Sequence, residues 1–144
     1  MKKPESRFWQ QVKPLLAGLD PVRIENICEQ GTPDVNYIEG WIELKVMPDW
    51  PKRPSTPLRI DHYTTHQRAW AKQRHSLGGV VWFLLKVAEE WLLIPGVLAA
   101  KYVGELPRDS LYTICSARWS GTPTKESFQE VILRDKLVRP IQSD

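Results

Sequence analysis

The sequence predicts a mixed α/β domain built around one sheet. Three observations point to it. Apolar residues recur at helical spacing over 5–19, and Thr64 to Leu77 reads as a second helix ended by Gly78-Gly79. Between and after these segments come short runs rich in β-branched and aromatic residues, at 22–28, 34–38, 41–47, 80–87 and 91–94, bounded by Gly, Pro and Asp. The 144 residues are the usual size of one domain and are enough to bury a core, so one domain is expected over 1–144, with a core over about 5–95 and a C-terminal elaboration over 96–144.

In the first segment Phe8, Trp9, Val12, Leu15, Leu16 and Leu19 share a helix face. Pro14 should kink or split this helix. Glu5 lies on the inward side of its first turn, where a carboxylate suits the helix dipole. Asp20-Pro21 ends the pattern. Val22 to Cys28 alternates as a strand, Gly31-Thr32-Pro33 bends the chain, and Asp34 to Ile38 reads as the next strand. Glu39-Gly40 is a tight-turn signal before a third strand over Trp41 to Met47. Four prolines between Pro48 and Asp61 mark a long loop, and loops of that length inside a domain are usually functional. Thr64 to Leu77 reads as the second helix, stopped by Gly78-Gly79. Val80–Val87 and Trp91–Ile94 form a hairpin, Val97–Val103 a short helix, Leu111–Ala117 a strand and Lys125–Arg134 a last amphipathic helix.

Composition narrows the class. Apolar residues make up 42% and charged residues 26%, as in ordinary globular domains. No run of about 18 apolar residues could span a membrane, and MKKPESRFWQ lacks the apolar stretch of a secretory signal. Cys28 and Cys115 show no ligand spacing and read as reduced, buried thiols in a cytoplasmic protein. The net charge of +3 is unevenly spread. Lys52, Arg53, Arg59, Arg68, Lys72 and Arg74 face only Asp61 between 51 and 75, a local charge of +5. Such a segment suits a polyanion partner or a solvated surface. Trp50, Tyr63 and Trp70 interleave with it and could stack on unpaired bases, or in the case of Trp70 join the core.

The chemistry concentrates in GTPDVNYIEGWIELK, residues 31–45. Alternation puts Glu43 and Lys45 on one face of the third strand together with Trp41, and Ile42, Leu44 and Val46 on the other. A turn at Glu39-Gly40 carries Asp34 across from Glu43–Lys45. Two carboxylates at that distance, with the Leu44 carbonyl, would make a site for Mg²⁺ or Mn²⁺, hard cations that take oxygen ligands. Lys45 would serve the attacking water and offset phosphate charge. Each residue alone also has a bland role: a solvated strand charge, or an Asp bonding turn amides. Gln67 stands three residues after Thr64, a capping-box spacing, and so has two readings. His62, His66 and His75 fit no zinc spacing.

Pro33-Asp34, eight residues, then Glu43-Leu44-Lys45 resembles the signature of the PD-(D/E)XK nuclease superfamily. The surrounding RIENICEQGTPDV and GWIELKV most resemble its VRR-NUC and phage Holliday-junction-resolvase-like branch. The resemblance covers about residues 5–95. It implies a restriction-endonuclease-like mixed central sheet flanked by helices, and Mg²⁺-dependent endonucleolytic hydrolysis of branched DNA by a homodimer. It further implies Asp34 and Glu43 as metal ligands, Lys45 at the water, Gln67 steadying the site and Glu5 as a further ligand. Glu25 on the strand before is the competing extra acid. The alternatives are a general or nicking DNA nuclease, and a relative that binds nucleic acid without cutting it.

Overall fold

The computed structural model describes residues 3–25 and 31–133. A first helix, α1 (Lys3–Val12), gives way to a 3₁₀ turn over Lys13–Leu16 with Pro14 in its first turn, so the proline splits the helical segment as its missing N–H requires. The strands are β1 (Val22–Arg23), β2 (Val35–Tyr37), β3 (Gly40–Met47), β4 (Val80–Val87), β5 (Glu90–Pro95) and β6 (Ala117–Trp119). The other helices are α2 (Thr65–Ser76), α3 (Gly96–Tyr102), α4 (Arg108–Thr113) and α5 (Lys125–Ile132). The six strands form one sheet in the order β1-β2-β3-β4-β5-β6. Every neighbouring pair is antiparallel except β3 and β4, which run parallel from Gly40↔Val80 to Met47↔Val87. This is the mixed α/β class that the sequence predicts. A parallel pair needs a crossover, and the long loop with α2 supplies it.

Both sheet faces are covered. On one, Ile42, Leu44, Leu84, Trp91 and Leu93 pack with Phe8, Trp9 and Val12 of α1, Leu15 and Leu16 of the 3₁₀ turn, and Phe128 and Ile132 of α5. Gln129 fastens α5 by donating to the Leu15 and Ala17 carbonyls, each at 3.0 Å. On the other face, Phe83, Leu85, Val87, Leu92 and Ile94 pack with Leu58, Ile60 and Tyr63 of the loop and with Ala99, Val103 and Leu111. The loop therefore has an exposed basic, proline-rich part and a part that belongs to the core.

Three expectations need correction. Leu111–Ala117 is not a strand. Arg108–Thr113 is helical, and only Ala117–Trp119 joins the sheet. Pro107 precedes the helix and accepts from the Leu111 amide at 2.8 Å, and Leu111 is buried, so packing overrides the β preference of Tyr112, Thr113 and Ile114. Among the described residues, the strand expected over Val22–Cys28 pairs in the ladder at Val22 and Arg23 and not at Ile24 or Glu25; Cys28 lies outside the described residues. The hairpin turn is Ile38-Glu39, because Tyr37 already pairs with Gly40. Gly40 itself opens both ladders. A Cβ there would stand 2.5 Å from the Val80 carbonyl oxygen, so this crossing of β3 and β4 requires glycine.

Candidate active site

β2 and β3 build the site. Val35 pairs with Ile42, so the next antiparallel position sets Asp34 opposite Glu43. Asp34 is held by its surroundings: its Oδ2 accepts from the Leu44 amide at 2.8 Å, and Arg23 Nη1 stands 3.4 Å from its Oδ1 while donating to its carbonyl at 2.8 Å. Glu43 and Lys45 follow on the face that carries the second core, between α2 and the sheet. They are only 5% and 3% exposed, so they are not charges on a solvated strand face. Removing an ion from water costs several kcal/mol unless it is compensated. Lys45 Nζ is compensated twice: it lies 3.4 Å from Glu43 Oε2 and donates to the His62 carbonyl at 2.8 Å.

Gln67 closes the cap that its spacing predicts and also reaches Glu43. Thr64 caps α2, accepting from the Gln67 amide at 3.2 Å, and Gln67 Oε1 returns the bond to the Thr64 amide at 2.9 Å. With its oxygen so occupied, its Nε2 donates to Glu43 Oε2 at 3.3 Å. The GTPD bend meets the same turn of α2. Gly31 has φ +90°, and a Cβ there would fall 2.4 Å from the His66 carbonyl oxygen. Glycine thus lets the bend lie on the helix backbone and brings Asp34 and Gln67 to one place.

Glu5, 9% exposed in the first turn of α1, sets its Oε2 3.1 Å from His62 Nε2. His62 thus touches Glu5 with its ring and Lys45 with its carbonyl. Glu25, the competing acid, is exposed beyond the end of β1. Arg23 and His62 are the site residues that sequence reasoning did not assign. Arg23 enters through cross-strand register and His62 through a backbone oxygen, and neither leaves a motif.

Burial pushes the Glu43 carboxyl well above its usual range, the nearby Asp34 carboxylate adds to this, and Lys45 opposes it. A buried carboxylate beside another is a place that gains from a cation. Among the described residues no three His, Cys, Asp or Glu side chains converge on one point. The carboxylates that meet here are Asp34 and Glu43. They fit Mg²⁺ or Mn²⁺, which keep several waters, and do not fit a closed zinc cage.

The basic segment divides. Lys52, Arg53 and Arg59 on the loop and Lys72 on α2 are exposed. Arg68 is not free to meet a partner. It donates to the Ala100 carbonyl at 3.0 Å, and its guanidinium lies 4.3 Å from the Tyr63 ring centroid. Arg74 lies over Trp70 at 4.2 Å. Tyr63 is buried and Trp50 donates to Glu90 at 2.8 Å, so neither offers a free ring for stacking. His66 and His75 are exposed on α2. Cys115 is half-buried, and burial pushes its thiol up to about 12. No helix of the described residues is long and apolar enough to cross a membrane.

No protein-family model and no curated protein matches the chain. Among solved structures it is similar to Hjc of Archaeoglobus fulgidus, described as a Holliday junction resolvase from an archaeal hyperthermophile, with a TM-score of 0.40 and 17% identity over 65% of this chain and 74% of that one.

Proposed function

We propose that the chain is a Mg²⁺-dependent endonuclease of DNA, selective for branched or partly unpaired structures. One observation carries the reading: Asp34 and Glu43 face each other across adjacent strands, and the buried Lys45 amine lies 3.4 Å from Glu43. A structural ion pair would need one carboxylate. The second acid raises the energy of the first, a cost that a bound cation would relieve.

Mg²⁺ bound between Asp34, Glu43 and the Leu44 carbonyl would acidify a water and offset charge on the phosphoryl oxygens. The rest falls to this chain. Lys45, tied to the His62 carbonyl, would hold the attacking water by hydrogen bonding and face the charge that grows on the phosphate. The water would give up a proton to solvent as its oxygen bonds to phosphorus, the P–O bond to the leaving sugar oxygen would break, and that oxygen would take a proton from solvent. Gln67 fixes the Glu43 rotamer and, through its cap, ties it to the start of α2. Glu5 supports Lys45 by way of His62. Lys52, Arg53, Arg59 and Lys72 would follow the DNA backbone, positioning it without reading sequence. Each phosphate so neutralised steepens the dependence of log K on log salt by about 0.9. Paired cuts in a two-fold junction would require two copies of the chain.

The test is a panel of labelled four-way junctions, flaps, single strands and plain duplexes with Mg²⁺ or Mn²⁺. Asp34→Ala and Lys45→Ala should each slow cutting by at least about a hundredfold, the equivalent of a few kcal/mol of transition-state stabilisation. No cutting of any substrate by the wild type, or cutting by both variants at the wild-type rate, would sink the reading. DNA binding without cutting would favour the non-cleaving relative. Uniform degradation of duplex would favour a general nuclease.

A further inference from the structure

We propose that the recess beside Trp41, at the far end of the same sheet face, receives one unpaired nucleobase of the strand that crosses Asp34 and Glu43. This rests on the nuclease reading and names what would make such an enzyme choose branched DNA.

The placement follows from register. Asn36 pairs with Trp41 just as Asp34 opposes Glu43, so the two pairs form successive rows on one face. Trp41 is two residues from Glu43, about 7 Å along the strand. α2 runs over both rows: Gln67 meets Glu43, and one and two turns later Trp70 and Arg74 meet Trp41. The Trp41 and Trp70 rings stand edge to face with centroids 5.2 Å apart. The Arg74 guanidinium lies 4.2 Å from the Trp70 centroid and 5.6 Å from that of Trp41. Both tryptophans are half-buried. α2 has no acid along its length and carries the exposed Lys72, so the approach to this row is attractive to a nucleic-acid backbone.

The recess has a volume of about 390 Å³, within the range of small-ligand sites. Its walls include the Trp41 ring, Arg74, Asn36, Asp20 and Glu39. That mixture decides the ligand. Two carboxylates would repel a phosphate. They suit the exocyclic N–H groups of adenine, cytosine or guanine, while the indole and guanidinium offer planes for stacking. In a duplex those N–H groups are largely engaged in pairing and the ring faces in stacking. Only an unpaired base brings both to the recess.

The experiment uses the full chain with Asp34→Asn to block cutting, in Mg²⁺. Its ligands are a flap carrying 2-aminopurine at the one unpaired position next to the branch and a plain duplex carrying it internally. Binding of the flap should quench 2-aminopurine emission as the base stacks. Trp41→Leu should lower the ratio of flap to duplex affinity about tenfold, the size of one base-stacking contact. Trp41→Phe should restore most of that ratio. Glu39→Ala, in the hairpin turn, provides a second readout should Trp41→Leu not fold: it should narrow the preference for cytosine over thymine at the unpaired position. Unquenched emission, or equal losses on flap and duplex, would overturn the proposal while wild-type cutting of branched DNA still stood. Quenching by a wild type that never cuts would leave the recess in place and remove the nuclease reading. A chain that binds neither DNA loses both.

Discussion

Glu43 and Glu90 are carboxylates on strands of the same sheet, and their surroundings are opposite. Glu90 is surrounded by donors: Trp50 Nε1 at 2.8 Å, Arg108 Nη2 at 2.6 Å and the Tyr112 hydroxyl. Burial alone would raise its pKa, but the bonds from Tyr112 and Trp50 and the charge of Arg108 outweigh it, and the net shift is downward. Glu43 is buried more deeply, has Lys45 and Gln67 as partners and faces a second acid, and its net shift is upward. One carboxylate is supplied with what it needs by the chain and joins the basic loop to α4. The other is left short of positive charge. On the proposed function, the difference separates an acid that holds the fold from one that would take a ligand.

That contrast can be tested by neutralising each acid. The largest effect is expected from Glu43→Gln. It should cut DNA cleavage by at least about a hundredfold, yet without divalent ions its Tm should equal or exceed that of the wild type, because a repelled charge has gone. A clear fall in Tm would show Glu43 to be a structural partner of Lys45 instead. Next in size is the response to Mg²⁺ itself. The wild type should be stabilised by about 2.7 kcal/mol at a hundred times the dissociation constant, read as a rise in Tm, and Glu43→Gln and Asp34→Asn should lose most of that rise. An identical rise in all three proteins would place the ion elsewhere.

The smallest effect is expected at Glu90. Glu90→Gln should cost about 1–2 kcal/mol, the scale of a lost charge-assisted hydrogen bond, and leave cutting nearly intact. Its pH dependence has a definite sign. A carboxyl whose folded pKa lies below the unfolded value of about 4.3 stabilises fully above that value. The gain is lost as pH falls through the folded pKa. The Tm difference between wild type and Glu90→Gln should therefore be full at neutral pH and close in acid. A difference that widened in acid would contradict the lowered pKa.

The site's strands were legible because alternation is a strict rule. Glu43 and Lys45 on one face, the apolar residues on the other and the bend before Asp34 all follow from residue types and spacing. So did the Thr64–Gln67 cap, though only the structure shows that Gln67 caps and holds Glu43 at once, since one end of the amide serves each. Arg68 and Arg74 look in sequence like the exposed cations around them. What binds them, the Ala100 carbonyl and the Trp70 ring, is tertiary and has no local signal. The short helix at Arg108–Thr113 was misread for a related reason: β preference measures fit to a pleated surface, and these residues never reach one. Trp41 was visible on the site's face, but the recess beside it needed the register of Asn36 and the path of α2.

The parallel pairing of β3 with β4 has a kinetic consequence. Gly40 meets Val80 across forty residues, and every rung to Met47↔Val87 closes a loop of that length. The β2–β3 hairpin, joined by two residues, pays almost no such entropy and can form within microseconds. During refolding the two acids therefore face each other in open water, where their repulsion is small. Glu43 and Lys45 lose their water only when the crossover lands, so the step that joins β3 to β4 is also the step that raises the cost of the Glu43 charge.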